Sequence, residues 1–199
     1  MNWPMPIVLG SRSPRRQLLL QEAGIPHEVI ISPIDDGHLR AKGHDPRRWA
    51  MGLAYLKATA VAESARRDGL STGTVLAADT ICVIDGEVIG QPVDGDHATS
   101  VLHAMVGRCH DVITGCCLLP IDGQRRHIFC DVTQVVWGEV SSEAIDAYVA
   151  SEQWRGKAGG YNLAERLAQG WPITLHGDPA TVMGLPMQLL EPMLVGRAS

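Results

Sequence analysis

The stretch Val75-Leu76-Ala77-Ala78-Asp79-Thr80-Ile81-Cys82-Val83-Ile84 is apolar almost throughout, with Asp79 in its middle. A carboxylate there is costly to bury unless it is paired, metal-bound or used in chemistry. Either Asp79 sits at a strand end or bulge, satisfied by backbone amides, or it works as a general base or metal ligand. Lys57 stands four residues after Leu53 and four before Val61, which puts it on the apolar stripe of a helix. It either snorkels from the edge of that stripe or offsets charge beside a buried aspartate.

Leu9-Gly10-Ser11-Arg12-Ser13-Pro14-Arg15-Arg16 follows the apolar run Pro6–Leu9. A strand is expected to end here and a helix to begin, with Ser13 as its cap and Pro14 as its first residue. The hydroxyls and arginines then crowd the positive end of a helix dipole, a good place to hold a phosphate chain. Asp35 and Asp36 are adjacent in a polar loop, where they form either a turn or hard oxygen ligands for Mg²⁺ on a polyphosphate. Glu87 follows the turn pair Asp85-Gly86 and could return toward Asp79. Lys157-Ala158-Gly159-Gly160-Tyr161 is glycine-rich and lets backbone amides approach a ligand, but it lacks Walker spacing and is not a P-loop.

The 199 residues suffice for one large α/β domain or two closely packed lobes, expected as a single unit over 1–199. A formal charge of −5 argues against a nucleic-acid coat. The five cysteines include no Cys-x-x-Cys pair and lie mostly in apolar runs, as small core residues of a reducing compartment do. No apolar run reaches the ~18 residues a membrane span needs, so a cytoplasmic protein without a membrane partner is expected.

The elements that must position these residues can be read from periodicity and punctuation. Helix is expected over Pro14–Ala23, stopped by Gly24, and over Pro46 to about Arg67 behind the cap Asp45. Further helices are expected over His97–Val106, from a Ser141 or Ser142 cap through Val149, and over Met187–Val195. Strands are expected over His27–Ile31, Thr74–Ile84, Glu87–Ile89, Asp111–Leu119, His127–Trp137 and Ile173–His176. Hairpins in the middle of an alternating chain favour a mixed sheet flanked by helices.

Taken together, these segments resemble the Maf family of nucleoside triphosphate pyrophosphatases, in order and over nearly the whole chain. Ser11-Arg12-Ser13-Pro14-Arg15-Arg16 is similar to the opening Ser-x-Ser-Pro-Arg-Arg motif, and Ile34-Asp35-Asp36 to Ile-Asp-Glu. Leu56-Lys57-Ala58 resembles the helix lysine, Ala78-Asp79-Thr80 matches Ala-Asp-Thr, and Asp85–Pro92 resembles Asp-Gly-Glu-x-x-Gly-Lys-Pro. Gly107–His110, Thr114-Gly115, Gly156–Tyr161 and Gly184-Leu185-Pro186 resemble the later motifs.

The resemblance implies an elongated mixed β-sheet flanked by helices with a central cleft, as in inosine triphosphate pyrophosphatases. It implies cleavage of a nucleoside triphosphate to the monophosphate and pyrophosphate, with a divalent cation (Mg²⁺ or Mn²⁺) and commonly a homodimer. Asp79 would accept a proton, with Lys57 beside it as the second catalytic residue. Ser11, Arg15, Arg16, Thr80, Lys157 and Glu165 would bind substrate, and Asp36, Glu87 and Asp79 would hold the metal.

Two departures stand out: Gln91 replaces the usual lysine, and Ala164 aligns with the glutamine linked to base choice, with Glu165 next to it. Arg15 and Thr80 match the dTTP/UTP branch, which is the preferred reading. The alternatives are a 7-methyl-GTP-type pyrophosphatase and a nucleotide-binding regulator of cell division with weak catalysis.

Overall fold

The computed structural model describes residues 3–35, 39, 41, 43–123 and 125–194. Among the described residues, seven strands form one mixed sheet: β1 (Ile7–Leu9), β2 (His27–Val29), β3 (Thr74–Ile84), β4 (Glu87–Ile89), β5 (Cys109–Pro120), β6 (His127–Trp137) and β7 (Ile173–His176). Their order is β2-β1-β3-β5-β6-β7, with β4 paired to β3. β1 runs parallel to both β2 and β3, and every other pairing is antiparallel.

β3 is the strand around which the fold is arranged. β5 pairs with it from Thr74 to Val83 and so occupies one edge along almost its full length. β1 and β4 must therefore share the other edge. β1 covers Thr74–Leu76 and β4 covers Cys82–Ile84. Between them, no strand among the described residues pairs with residues 77–81 on that edge, and this gap holds Asp79.

The register also fixes which backbone groups face the gap. Gly10 donates its N–H to the Leu76 carbonyl at 2.8 Å, so Leu76 points its backbone groups toward β1. Backbone groups alternate between the two edges of a strand. Those of Ala78 and Thr80 therefore face the gap as well.

The two faces of β3 pack against different helices. Residues Val75, Ala77, Asp79, Ile81 and Val83 face α2 (Pro46–Arg67), while Leu76, Ala78, Thr80, Cys82 and Ile84 face away from it. The buried stripe of α2 consists of Ala50, Leu53, Ala54, Ala58, Val61, Ala62 and Ala65. Its many alanines let the helix lie close to the sheet. On the other face, α1 (Pro14–Glu22), α6 (Pro179–Met183) and α7 (Met187–Leu194) cover one end. α3 (Gly95–His103), α4 (Ser142–Ala150) and α5 (Leu163–Ala168) enclose the other end around Trp137, Trp171, Tyr148 and Tyr161. Three of these rings meet edge to face: Trp137 with Tyr161 at 5.0 Å and with Trp171 at 5.2 Å.

Most expected elements are present, with shifted ends. Asp94 caps α3 by accepting from His97 N, so that helix begins at Gly95 rather than His97. Ser141 is the cap of α4. Ser13 stands at the N-cap of α1 but makes no side-chain capping bond; its N–H donates to Ser11 Oγ instead. The short helices α5 and α6 lie where no element was expected, and the glycine-rich segment contains a 3-10 turn over Ala158–Gly160. The expected end of the last helix at Val195 lies outside the described residues. Among the described residues, no helix is long and apolar enough to cross a membrane.

Candidate active site

A cleft of about 1200 Å³ opens at the gap in the β3 edge, lined by the β1–α1 loop, Lys57 of α2, residues 79–82 of β3 and the segment 155–163. Asp79 projects from the α2 face of β3. Lys57 reaches it from α2, with Nζ 2.5 Å from Oδ1. The Asp79 residue is 8% exposed, so the ammonium offsets the cost of placing that carboxylate in an apolar strand. Its expected apolar-stripe position thus turns out to be a pairing position.

Gly115 makes this approach possible. It pairs directly with Asp79 in the β3–β5 ladder, and a Cβ on it would lie 2.4 Å from the Ala50 carbonyl carbon. Only a residue without a side chain lets α2 come this near.

The arginine loop forms the opposite wall. Ser11 Oγ accepts from Ser13 N and from Arg16 Nη1, each at 3.1 Å. With both bonds received, the Ser11 hydroxyl proton is the part left to donate to a ligand oxygen. Arg16 also donates from Nε to the Gly184 carbonyl at 2.9 Å and from Nη2 to Thr80 Oγ1 at 3.1 Å. Gly184, in the left-handed region at φ 110°, ends α6 and turns its carbonyl to that arginine. Arg15 lines the cleft, and its charge acts on the Tyr148 phenol of α4. Burial pushes that phenol up to about 12 against the pull of the Arg166 and Arg15 cations.

Thr80 lies in the gap, on the face away from Asp79, and contacts Arg16 and Thr114. A ligand seated in the gap thus has Asp79 and Lys57 on one side of the sheet and Thr80 and Arg16 on the other.

Lys157 and Asn162 line the cleft, whereas Glu165 does not. The Glu165 carboxylate accepts from Lys157 Nζ at 2.7 Å and from Asn162 Nδ2 at 2.8 Å. Each of its oxygens holds one of these two cleft residues in place. Ala164, at the position of the family's glutamine, is exposed and outside the cleft lining.

The expectation that Glu87 joins Asp79 at a metal is corrected by the register. Asp85 and Gly86 both have positive φ (52° and 82°), as a two-residue type I′ hairpin requires. That turn pairs Glu87 with Ile84. Glu87 therefore shares the face of Ile84, opposite to Asp79, and lies about 17 Å farther along the strand at about 3.3 Å per residue. Asp35 lines the cleft; Asp36 lies outside the described residues. Among the described residues, no three His, Cys, Asp or Glu side chains gather as a metal cage.

The sequence motifs contain His110, Thr114 and Gly184 without assigning them a role, and Thr181 lies in none of them. His110 Nε2 meets Tyr161 Oη at 2.9 Å under the cleft, and burial lowers its imidazole to about 4, so it is neutral. Cys82 also lines the cleft, but burial, with the nearby Asp111 charge, raises its thiol to about 12 and leaves it unreactive.

A family profile described as "Maf-like protein" matches residues 6–196. The dTTP/UTP pyrophosphatase of Chelativorans sp. (strain BNC1) is 39% identical over 189 residues, covering 94% of this chain and 88% of that protein. The one from Ruminiclostridium cellulolyticum is 38% identical over 188 residues, covering 94% of both chains. The one from Pyrococcus furiosus is 33% identical over 185 residues, covering 91% and 90%. With a match of this span and relatives this similar over almost their whole length, the chain belongs to the Maf family.

Proposed function

We propose that this protein hydrolyses dTTP and UTP to the nucleoside monophosphate and pyrophosphate. The observation that carries the reading is the Asp79–Lys57 pair in the sheet-edge gap, facing an arginine-rich loop across one cleft. Relatives that share more than a third of their residues with this chain are named for the same substrates.

Asp79 takes a proton from a water molecule as its oxygen attacks the α-phosphorus. The new P–O bond forms while the bond to the bridging oxygen breaks, and pyrophosphate leaves with that electron pair. The Ser11 hydroxyl donates to a phosphate oxygen. Arg15, Arg16 and Lys57 offset the charge that shifts onto the leaving group. Lys157 and Asn162, held by Glu165, form the end of the cleft beyond the arginine loop.

The donor set suits Mg²⁺ or Mn²⁺ bound chiefly through substrate. Magnesium typically takes one or two carboxylates, with phosphate oxygens and water completing its shell. Asp79 and Asp35 line the cleft and supply such oxygens. Asp79, Asp35 and Asp36 would hold the ion, which when bound offsets phosphate charge. The five free thiols suit a reducing cytoplasm, and a homodimer is the assembly we assign.

A nucleotide panel with Mg²⁺ or Mn²⁺, scored by pyrophosphate release, tests the proposal. The expected result is fastest turnover of dTTP and UTP, with Asp79→Asn losing at least about 10²-fold. An Asp79→Asn protein with full activity would overturn the mechanism. Gln91, a neutral residue in the cleft lining, favours one second reading. If a triphosphate binds tightly and none is cleaved, the protein is a nucleotide-binding regulator.

A further inference from the structure

Behind the cleft wall, a line of hydroxyl groups has only one possible direction. Thr114 Oγ1 lies 2.7 Å from the Thr181 carbonyl oxygen, which can only accept. A threonine hydroxyl carries one proton, so the proton of Thr114 is committed there. The 2.9 Å contact between Thr80 Oγ1 and Thr114 Oγ1 must then run from Thr80 to Thr114. With its own proton directed inward, Thr80 offers Arg16 nothing but lone pairs, and it accepts from Nη2 at 3.1 Å.

α6 holds both ends of this arrangement. Its Thr181 carbonyl terminates the hydroxyl line, and the Gly184 carbonyl just beyond it accepts from Arg16 Nε at 2.9 Å. The Thr181 hydroxyl is itself tied to Asp131 Oδ2 at 2.6 Å. Thr114 and Thr181 are both fully buried, and Thr114 takes no part in lining the cleft.

We propose that Thr114 is a positioning residue for the reaction, acting through Thr80 to fix the guanidinium of Arg16 in the cleft wall. Without the Thr114 oxygen, the Thr80 hydroxyl loses its inward acceptor. It is then able to turn its proton toward the arginine, and the guanidinium fork loses its fixed aim. A cation aimed in advance at developing charge helps the chemical step more than it helps ground-state binding. The inference rests on the reading of this cleft as a triphosphate site.

The test is Thr114→Val, which keeps the shape and removes the hydroxyl. In a folded protein, kcat for dTTP or UTP is expected to fall about tenfold with KM changed by less than about twofold. Thr114→Ser should return kcat to within about twofold of the parent by restoring the oxygen. In an Arg16→Lys background, the same Thr114→Val change should cost less than about twofold, because its route is already broken. A Thr114→Val protein with parental kcat, or a tenfold loss that persists beside Arg16→Lys, overturns the proposal. If Thr114→Val does not fold, Thr114→Ala is read in its place with the same outcomes.

A nuclear magnetic resonance measurement separates this inference from the functional reading. The Arg16 Nε–H signal, assigned by its loss in Arg16→Lys, should shift or broaden in Thr114→Val and recover in Thr114→Ser. An unchanged signal overturns the positioning role whether or not any triphosphate is cleaved. Absence of turnover in the parent, by contrast, counts only against the functional reading.

Discussion

Gly115 stands directly across the ladder from Asp79, and the side chain it lacks is what admits the α2 backbone to the sheet. The Lys57–Asp79 pair thus depends on a residue that touches neither charge. Gly115→Ala would set a methyl group 2.4 Å from the Ala50 carbonyl carbon, a contact that backbone must move to relieve. Overpacking of this kind costs about 1–3 kcal/mol, and the shift of α2 draws Lys57 from the carboxylate. The expected outcome is a lower melting temperature together with a loss of turnover of about 10²-fold, the scale of a misplaced catalytic group. Thermal melts and pyrophosphate release measured on the same sample check it. Parental activity at a lowered melting temperature would show that the spacing of α2 does not matter to the chemistry.

The Lys57–Asp79 pair should also reveal itself in stability alone. Removing one partner leaves a poorly hydrated charge beside an apolar strand. Lys57→Met and Asp79→Asn are each expected to change stability by an amount that their combination does not add up to. The double variant, with neither charge, should be more stable than Lys57→Met alone by about 1 kcal/mol or more, a coupling typical of contacting residues. Denaturant titration of the four proteins gives the coupling directly, and strict additivity would contradict it.

Glu165 lies outside the cleft lining yet holds Lys157 and Asn162. Glu165→Gln removes the charge that anchors Lys157 while keeping an oxygen for Asn162. KM for the nucleotide is expected to rise about three- to tenfold, with kcat nearly unchanged, since binding and not the reacting phosphate is affected. Steady-state kinetics with dTTP and UTP decide this. A drop in kcat at constant KM would place Glu165 nearer the chemistry.

His110 makes stability depend on pH. Its imidazole is lowered from 6.5 to about 4 by burial, so in acid the unfolded chain binds a proton that the folded chain refuses. This stability is present above pH 6.5 and is lost as pH falls toward 4. Between pH 7.5 and 5.5 the loss from this group is about 1.4 kcal/mol, or roughly 3–6 °C in melting temperature. His110→Gln should show a smaller drop over that interval by about this amount. Melting curves at the two pH values, parent against variant, test the assignment; equal drops would remove His110 as the cause.

Much of this arrangement was legible where the signal is local. Asp45-Pro46 announces α2 through its cap, and the four-residue spacing of Leu53, Lys57 and Val61 places the lysine on the buried side. Asp178-Pro179 carries the same cap-and-proline signal for α6, but a helix of five residues leaves no periodicity to confirm it. The face of Glu87 was readable in principle. A two-residue turn pairs residue 84 with residue 87, and alternation then puts Glu87 away from Asp79.

What could not be read is convergence. Thr114, Thr181 and Gly184 come together around Arg16 only because β5 and α6 meet across the sheet. No spacing in the chain encodes that meeting. Likewise, the bonds from Glu165 to Lys157 and Asn162 join residues whose side-chain directions no local pattern fixes.

The break in the β3 edge has a further meaning for the chain's behaviour in company. An open strand edge invites a neighbouring molecule to add a strand of its own and so to aggregate. Here the backbone groups of Ala78 and Thr80 are presented outward, but β1 and β4 close the edge above and below them. A window that short accepts a small molecule and refuses a polypeptide. This window can therefore offer main-chain donors and acceptors to the cleft without templating the addition of a strand from a neighbouring chain.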